Sequence, residues 1–202
     1  MNSQSEEFYN KMSTRRSIRH FSTEPVDKNI LINAIRTAGS APSGANRQPW
    51  FFALISSHKK KEKIRQAAEL VEYEFYNNKA PQTWLNDLKH LGTNSSKPYL
   101  TEASALIAVF SRTNHEADGE SIRTYYPLES TGIATGFLIT ALHTAGLATL
   151  THTPKPMFFL NDLLGLDRAY RPFMIVVTGY PKLPIQVPNI SRKFLPEIMS
   201  EY

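Results

Sequence analysis

Three short apolar runs constrain this chain more than any other feature of it. Trp50 to Ser56 (WFFALIS), Ala105 to Phe110 (ALIAVF) and Phe173 to Thr178 (FMIVVT) are too short to cross a membrane. They also lack the polar alternation of a strand with one wet face, so they read as strands buried on both faces. Such strands need layers of helix over them, and the intervening sequence has helical patterns. Asp27 is placed to cap a helix carrying Ile30, Leu31, Ala34, Ile35 and Ala38 on one face, closed by Gly39. After the first strand, Ile64, Ala67, Ala68, Val71 and Phe75 mark the inner side of a long helix, and Thr83 to Leu91 suggests a shorter one. Tyr126 to Ala145 is a mostly apolar helix stopped by Gly146; its Gly132 and Gly136 permit close approach of another helix. Ala148 to Thr151 is a further short strand, and Pro156 opens a helix that runs through Leu164. Strands and helices mixed in this order predict an α+β sandwich, one domain over residues 1–202. From about residue 182 prolines multiply and periodic apolar positions run out. That tail reads as an extended arm that needs another surface to lie on.

Composition excludes several kinds of chemistry. With no cysteine, the chain has no disulfide, no thiolate metal centre and no thiol nucleophile. The six histidines, His20, His58, His90, His115, His143 and His152, show no metal-ligand spacing, so no metal is expected. No stretch reaches the length of a membrane span, and the opening MNSQSEEFYNKM has no apolar signal core. A cytoplasmic protein without membrane or nucleic-acid partners is expected. The formal net charge of +5 is too mild for a nucleic-acid binder but suits an anionic ligand. The one dense basic run, His58-Lys59-Lys60-Lys61-Glu62-Lys63, reads as a solvated helix face.

Two motifs offer anion chemistry. Arg15-Arg16-Ser17-Ile18-Arg19 packs three guanidiniums and a hydroxyl into five residues, and guanidinium forks hold phosphate through paired charge-assisted hydrogen bonds. In an extended segment Arg15, Ser17 and Arg19 share one face and Arg16 the other. Ala41-Pro42-Ser43-Gly44-Ala45-Asn46-Arg47-Gln48-Pro49-Trp50 is a turn whose N–H groups can meet an anion or a polar ring edge. Neither motif matches a Walker A loop or a dinucleotide fingerprint.

Together the two motifs, with the strand ending Gly179-Tyr180-Pro181 and the arginine in the tail, resemble the nitroreductase superfamily of flavoproteins from about Arg15 to Ile198. That resemblance implies a nitroreductase-like sandwich, a central mixed sheet flanked by helices, in an intertwined homodimer with FMN at the subunit interface. It also implies FMN contacts for Arg15, Arg16, Ser17, Arg19 and Ser43, with Arg192 an added phosphate ligand.

A second group of residues narrows the reading. Glu72 and Tyr76 are four apart on one helix face, and Lys97 follows in a loop. A carboxylate, a phenol and an ammonium can clamp an amino-acid zwitterion, with Glu72 on its ammonium, Lys97 on its carboxylate and Tyr76 on either. The stretch from Glu72 through Trp84-Leu85-Asn86-Asp87-Leu88-Lys89 and Thr93-Asn94 to Lys97 is similar to the lid of the iodotyrosine deiodinase family. The hydroxyl-rich turn Thr149-Leu150-Thr151-His152-Thr153-Pro154 matches as well, with His152 as a departure. The resemblance places Thr151, His152 and Thr153 at the flavin. It implies Thr153 as the catalytic hydroxyl that would donate to flavin N5 and favour one-electron steps, with Thr151 as the alternative donor. Ala45 would hold the substrate phenol oxygen through its backbone N–H.

The activity so implied is reductive dehalogenation of 3-halotyrosines to tyrosine and halide, with a reductase or NAD(P)H as electron donor. Two other activities share the fold. A general NAD(P)H-dependent nitro- or quinone reductase would leave Glu72, Tyr76 and Lys97 incidental, and a flavin-fragmenting protein would have no need of the trio.

Overall fold

The computed structural model describes residues 2–117 and 119–202. In chain order its elements are α1 (Asn2–Ser13), α2 (Lys28–Gly39), β1 (Trp50–Ile55), α3 (His58–Glu74), α4 (Gln82–Lys89), α5 (Tyr99–Glu102), β2 (Ala105–Arg112), β3 (Asn114–Ala117), β4 (Glu120–Arg123), α6 (Pro127–Thr144), β5 (Ala148–His152), α7 (Phe159–Leu164) and β6 (Tyr170–Gly179). The central sheet has the order β1-β2-β6-β5 with antiparallel neighbours. Its parallel component is a single bridge from Ser17 to Thr149, where the Ile18 N–H donates to the Thr149 carbonyl at 3.1 Å. The sheet is mixed only through that bridge, which lays the basic segment along β5.

Side-chain alternation along β2 divides the core in two. Leu106, Ala108 and Phe110 join Ile64 and Ala68 of α3 and Leu160 of α7 on one face. Ala105, Ile107 and Val109 join Leu31, Ala34 and Ala38 of α2 and Leu138 and Leu142 of α6 on the other. The uniformly apolar strand is therefore buried on both faces, as its sequence predicts. Asp27 caps α2 by accepting the Asn29 N–H at 2.9 Å. The stop lies one residue beyond Gly39, where the Ser40 hydroxyl donates to the Thr37 carbonyl at 2.7 Å.

Five features differ from the sequence reading. β1 is an edge strand and is not buried on both faces: among its residues only Ile55 is buried, and Phe51 is exposed. Pro156 stands in the turn before α7, which begins only at Phe159. The hairpin β3–β4 and the helices α1 and α5 carry too little apolar periodicity to be read from sequence. The last turn of α3 continues as a π-helix over Phe75–Lys79, a widened turn that recurs at functional sites. The basic run is not wholly solvated: Lys61 is 6% exposed and donates to the carbonyls of Thr101 and Ala103. That ammonium pins α3 to the end of α5.

The face of α6 away from the core leaves Leu128, Ile133 and Phe137 exposed beside Gly136, where an added Cβ would meet nothing within 4 Å. Phe8 and Tyr9 of α1 and Leu183, Phe194, Leu195 and Ile198 of the tail are exposed too.

Replacing Lys61 by Met relieves a buried charge but strands two carbonyls, one of them buried. The stranded groups should dominate, so Lys61→Met lowers stability by about 1–3 kcal/mol. Lys63→Met, on the exposed side of the same helix, should leave the urea midpoint unchanged; equal shifts for the two would contradict the pinning role.

Candidate functional site

Arg15, Arg16, Ser17 and Arg19 line one small cleft together with Pro188, Ile190 and Arg192 of the tail. The tail is fastened there by two hydrogen bonds. Arg16 donates to the Pro188 carbonyl, and Arg192 donates to the Arg15 carbonyl at 3.4 Å. Among the described residues no carboxylate lies in ion-pair range of these guanidiniums. Burial, then Arg192 and Arg16, hold the Arg15 guanidinium below the usual arginine value. A donor set of like charges with no internal counter-ion is built for an external anion, and its forks match a phosphate. The five basic and hydroxyl residues predicted for one ligand are thus brought to one place.

Arg19 also lines the wall of a second, larger cavity of about 570 Å³. Glu72, Tyr76, Lys97, Thr151, His152 and Thr153 all line it. Its apolar part comes from Phe75, Trp84, Leu88 and Leu91, with the Trp84 ring edge-on to Phe75 at 4.9 Å. The three clamp residues are joined in one network. Lys97 Nζ stands 3.1 Å from Glu72 Oε2, with side chains 4% and 13% exposed. The same ammonium donates to Thr93 Oγ1 at 3.3 Å and to the Asn94 carbonyl, and lies 5.2 Å above the Tyr76 ring. Tyr76 Oη and Thr93 Oγ1 are 3.0 Å apart. Burial pulls the Lys97 ammonium below the ordinary lysine range, opposed by Glu72. Burial likewise raises the Tyr76 phenol, so it stays a donor at neutral pH.

Strand alternation splits the hydroxyl turn. Thr151 and Thr153 are exposed, whereas the His152 ring between them is buried. His152 Nδ1 lies 3.2 Å from Tyr99 Oη and 4.0 Å from Glu72 Oε1. Burial first, then Lys97, lower the His152 pKa to about 3, and burial and then Glu72 raise Tyr99. Sequence reasoning missed Tyr99. It reads as one apolar residue after Lys97-Pro98, and only α5 brings it to the cavity.

Ser43 and Ala45 are not brought to these clefts within one chain: neither lines the basic cleft or the larger cavity. Their loop is nonetheless shaped with care. Ala45, Asn46 and Gln48 have φ of 50°, 53° and 46°, conformations that L residues hold only where surroundings impose them. The Ser43 hydroxyl fixes the turn by accepting the Gln48 N–H at 2.9 Å. A Cβ on Gly44 would stand 3.0 Å from the Tyr125 carbonyl, so the loop lies tight against the entry to α6.

The neutral His152 has a consequence for stability. Its folded-state pKa, about 3, lies below the 6.5 of the unfolded chain. As pH falls through 6.5 the unfolded chain takes up a proton that the folded chain refuses, so stability drops with falling pH. The slope approaches 1.4 kcal/mol per pH unit below 6.5. Between pH 6.5 and 5, urea unfolding of His152→Asn should lose that share of the slope; identical slopes would show that the ring is not held neutral.

Comparison with known proteins agrees with this geometry. The nitroreductase family matches residues 12–180. An iodotyrosine deiodinase of Haliscomenobacter hydrossis is 44% identical over 203 residues, covering 100% of this chain and 91% of the relative. The human iodotyrosine deiodinase 1 is 40% identical, covering 96% of this chain and 68% of its own length. A crystal structure of oxidized iodotyrosine deiodinase bound to FMN and 3-iodo-L-tyrosine superimposes with a TM-score of 0.82 at 30% identity, over 96% of this chain and 98% of that one. A BluB-like flavoprotein from Clostridium difficile shares the fold at a TM-score of 0.72 and 21% identity, over 96% of this chain and 98% of the other. The chain belongs to the nitroreductase family and, within it, to the iodotyrosine deiodinases.

Proposed function

We infer that this chain binds FMN and uses it to remove halide reductively from 3-halotyrosines, giving tyrosine. The observation that carries this reading is the joined trio of half-buried Glu72 and Tyr76 with buried Lys97, in the wall of the cavity that Arg19 also lines. A general nitroarene or quinone reductase has no use for a buried ammonium and carboxylate there.

The donor set fits FMN. Arg15, Arg16 and Arg192, with Ser17, would hold its phosphate, and Arg19 connects that cleft to the cavity. Thr151 and Thr153, on the exposed side of the turn, would meet the flavin ring, with Thr153 the donor to N5. His152 shares that contact through its backbone, since its ring faces Tyr99 and Glu72. Reduced FMN supplies the two electrons, one at a time, that with one proton turn a carbon–halogen bond into carbon–hydrogen and halide. Those electrons come from NAD(P)H directly or through a reductase.

The chain's own residues bind and orient. Glu72 releases Lys97 and takes the substrate ammonium, Lys97 takes its carboxylate, and Tyr76 donates to the same head group. One buried ion pair is exchanged for two, without change in net charge. Trp84, Leu88 and Leu91 exclude water from the aromatic ring. The Ala45 N–H holds the phenol oxygen, and Ser43 sets the loop that presents it.

Because Ser43 and Ala45 stand apart from the clefts of their own chain, the working unit is proposed to be a homodimer in which that loop completes the neighbour's site. The exposed apolar residues of α1, α6 and the tail support it. Light scattering at micromolar concentration should give about 46 kDa, twice 22.9 kDa; a mass of one chain would contradict a shared site.

Substrate selectivity tests the clamp. The FMN-loaded protein should bind 3-iodotyrosine far more tightly than 2-iodophenol, by quenching of flavin fluorescence. Lys97→Ala should weaken 3-iodotyrosine by about 2–5 kcal/mol, as for one partner of a buried charge pair, and leave 2-iodophenol unchanged. Equal affinity for the two ligands in the parent would return the chain to the general reductases.

A further inference from the structure

Two buried polar side chains in the wall of the larger cavity remain without a part in this chemistry, Tyr99 and His152. They meet edge to face, ring centres 5.6 Å apart, behind Glu72. Glu72 gives Oε2 to Lys97, and no hydrogen bond is made to its Oε1 among the described residues. His152 Nδ1 stands 4.0 Å from that oxygen, beyond hydrogen-bond range but within reach of a small turn of the carboxylate. Lys97 and Glu69 are the other charged groups facing this corner from the lid, and Arg19 faces it from the basic segment.

The ring's tautomer follows from its partners. If Tyr99 donated to Nδ1, the proton of the neutral ring would sit on Nε2, which is buried with no partner. The Nδ1 lone pair, while accepting from Tyr99, would then also face a carboxylate. With the proton on Nδ1, the N–H donates to Tyr99 Oη and points its positive end toward Glu72. Each arrangement leaves one buried donor without a partner, Nε2–H in the first and the Tyr99 O–H in the second, so the carboxylate beside Nδ1 decides: it favours a proton there over a lone pair.

Resting on the clamp reading above, we propose that His152, protonated at Nδ1, is a positioning residue for Glu72. When a bound zwitterion draws Glu72 off Lys97, the Nδ1–H takes Oε1 in place of Tyr99 Oη and holds the carboxylate against the ligand's α-ammonium. His152 thereby sets selectivity for amino acids over halophenols that carry a carboxylate alone. Its neutrality matters here, because a second cation beside Lys97 would compete with the ammonium for Glu72.

The test uses FMN-loaded dimer and two ligands, 3-iodotyrosine and its analogue without the amino group, 3-(3-iodo-4-hydroxyphenyl)propanoate. His152→Leu should weaken 3-iodotyrosine roughly tenfold, the scale of one hydrogen bond to a charged group, and change the analogue by less than about twofold. His152→Asn, whose amide N–H stands near the Nδ1 position, should recover most of the loss, while His152→Gln, which reaches toward Nε2, should not. The imidazole ¹⁵N spectrum of the loaded parent should show a protonated Nδ1 that shifts on binding 3-iodotyrosine and not on binding the analogue. Equal loss of both ligands in His152→Leu, recovery by Gln in place of Asn, or a proton on Nε2 would each overturn the proposal while leaving the clamp intact. A parent protein that fails to distinguish the two ligands would overturn the clamp reading itself and this role with it.

Discussion

Like charge without an internal counter-ion is the constraint around which this structure is arranged. Arg15, Arg16, Arg19 and Arg192 come from opposite ends of the chain and line one cleft with no described carboxylate in range. Guanidiniums brought together repel, and burial adds to the penalty, as the lowered Arg15 shows. Neither segment that carries them has a core of its own. The basic segment is held by the parallel bridge at Thr149 and by a run of backbone hydrogen bonds to the chain just after β6: the Ser22 N–H to the Tyr180 carbonyl at 2.9 Å and the Lys182 N–H to the His20 carbonyl at 3.0 Å. The tail reaches the cleft through Arg16 and Arg192. A bound polyanion relieves the repulsion and ties both segments down, so ligand and fold stabilise each other.

The clamp obeys the opposite rule. Lys97 and Glu72 are sealed away from water as a pair, where either alone would carry a desolvation penalty of several kcal/mol. Self-pairing lets the cavity persist without its ligand. It also fixes which ligands can enter. A zwitterion divides the pair without leaving a buried charge unmatched, whereas a simple anion satisfies Lys97 and strands Glu72. In the function proposed above, selection for an amino acid follows from this one ion pair, and the apolar residues Phe75, Trp84 and Leu88 leave room for an aromatic ring.

What sequence disclosed and what it hid follow from range. The helix after Asp27 is legible because its cap and its apolar spacing lie within twelve residues, and β2 is legible because both of its faces are apolar. Glu72 and Tyr76 share a helix face by periodicity alone. Lys61 was misread because its partners, Thr101 and Ala103, lie some forty residues on, and nothing local separates a buried lysine from its solvated neighbours. Tyr99 stayed invisible for the same reason: α5 is a single turn, and its phenol gains meaning only from His152 on a distant strand. The strands β3 and β4 are short and mostly polar in sequence, so no apolar pattern announces their pairing.

The end of β5 shows how little backbone is needed to serve two ligands. Successive side chains of a strand point to opposite faces. Thr151 and Thr153 are exposed, on the side offered to a flavin, and His152 is buried, against Tyr99 and the second oxygen of Glu72. In the function proposed above, these three consecutive residues would connect the electron source to the substrate's head group. A one-residue slip in the register of β5 on β6, which pairs Thr151 with Val176 and His152 with Ile175, would exchange the two roles. Leu150 and Ala148, packed on the α3 side of the sheet, resist that slip because it would take them out of that cluster and put the polar Thr149 in their place. The apolar core therefore does more than hold the sheet together: it fixes which hydroxyls of this turn are exposed and which imidazole stands behind Glu72.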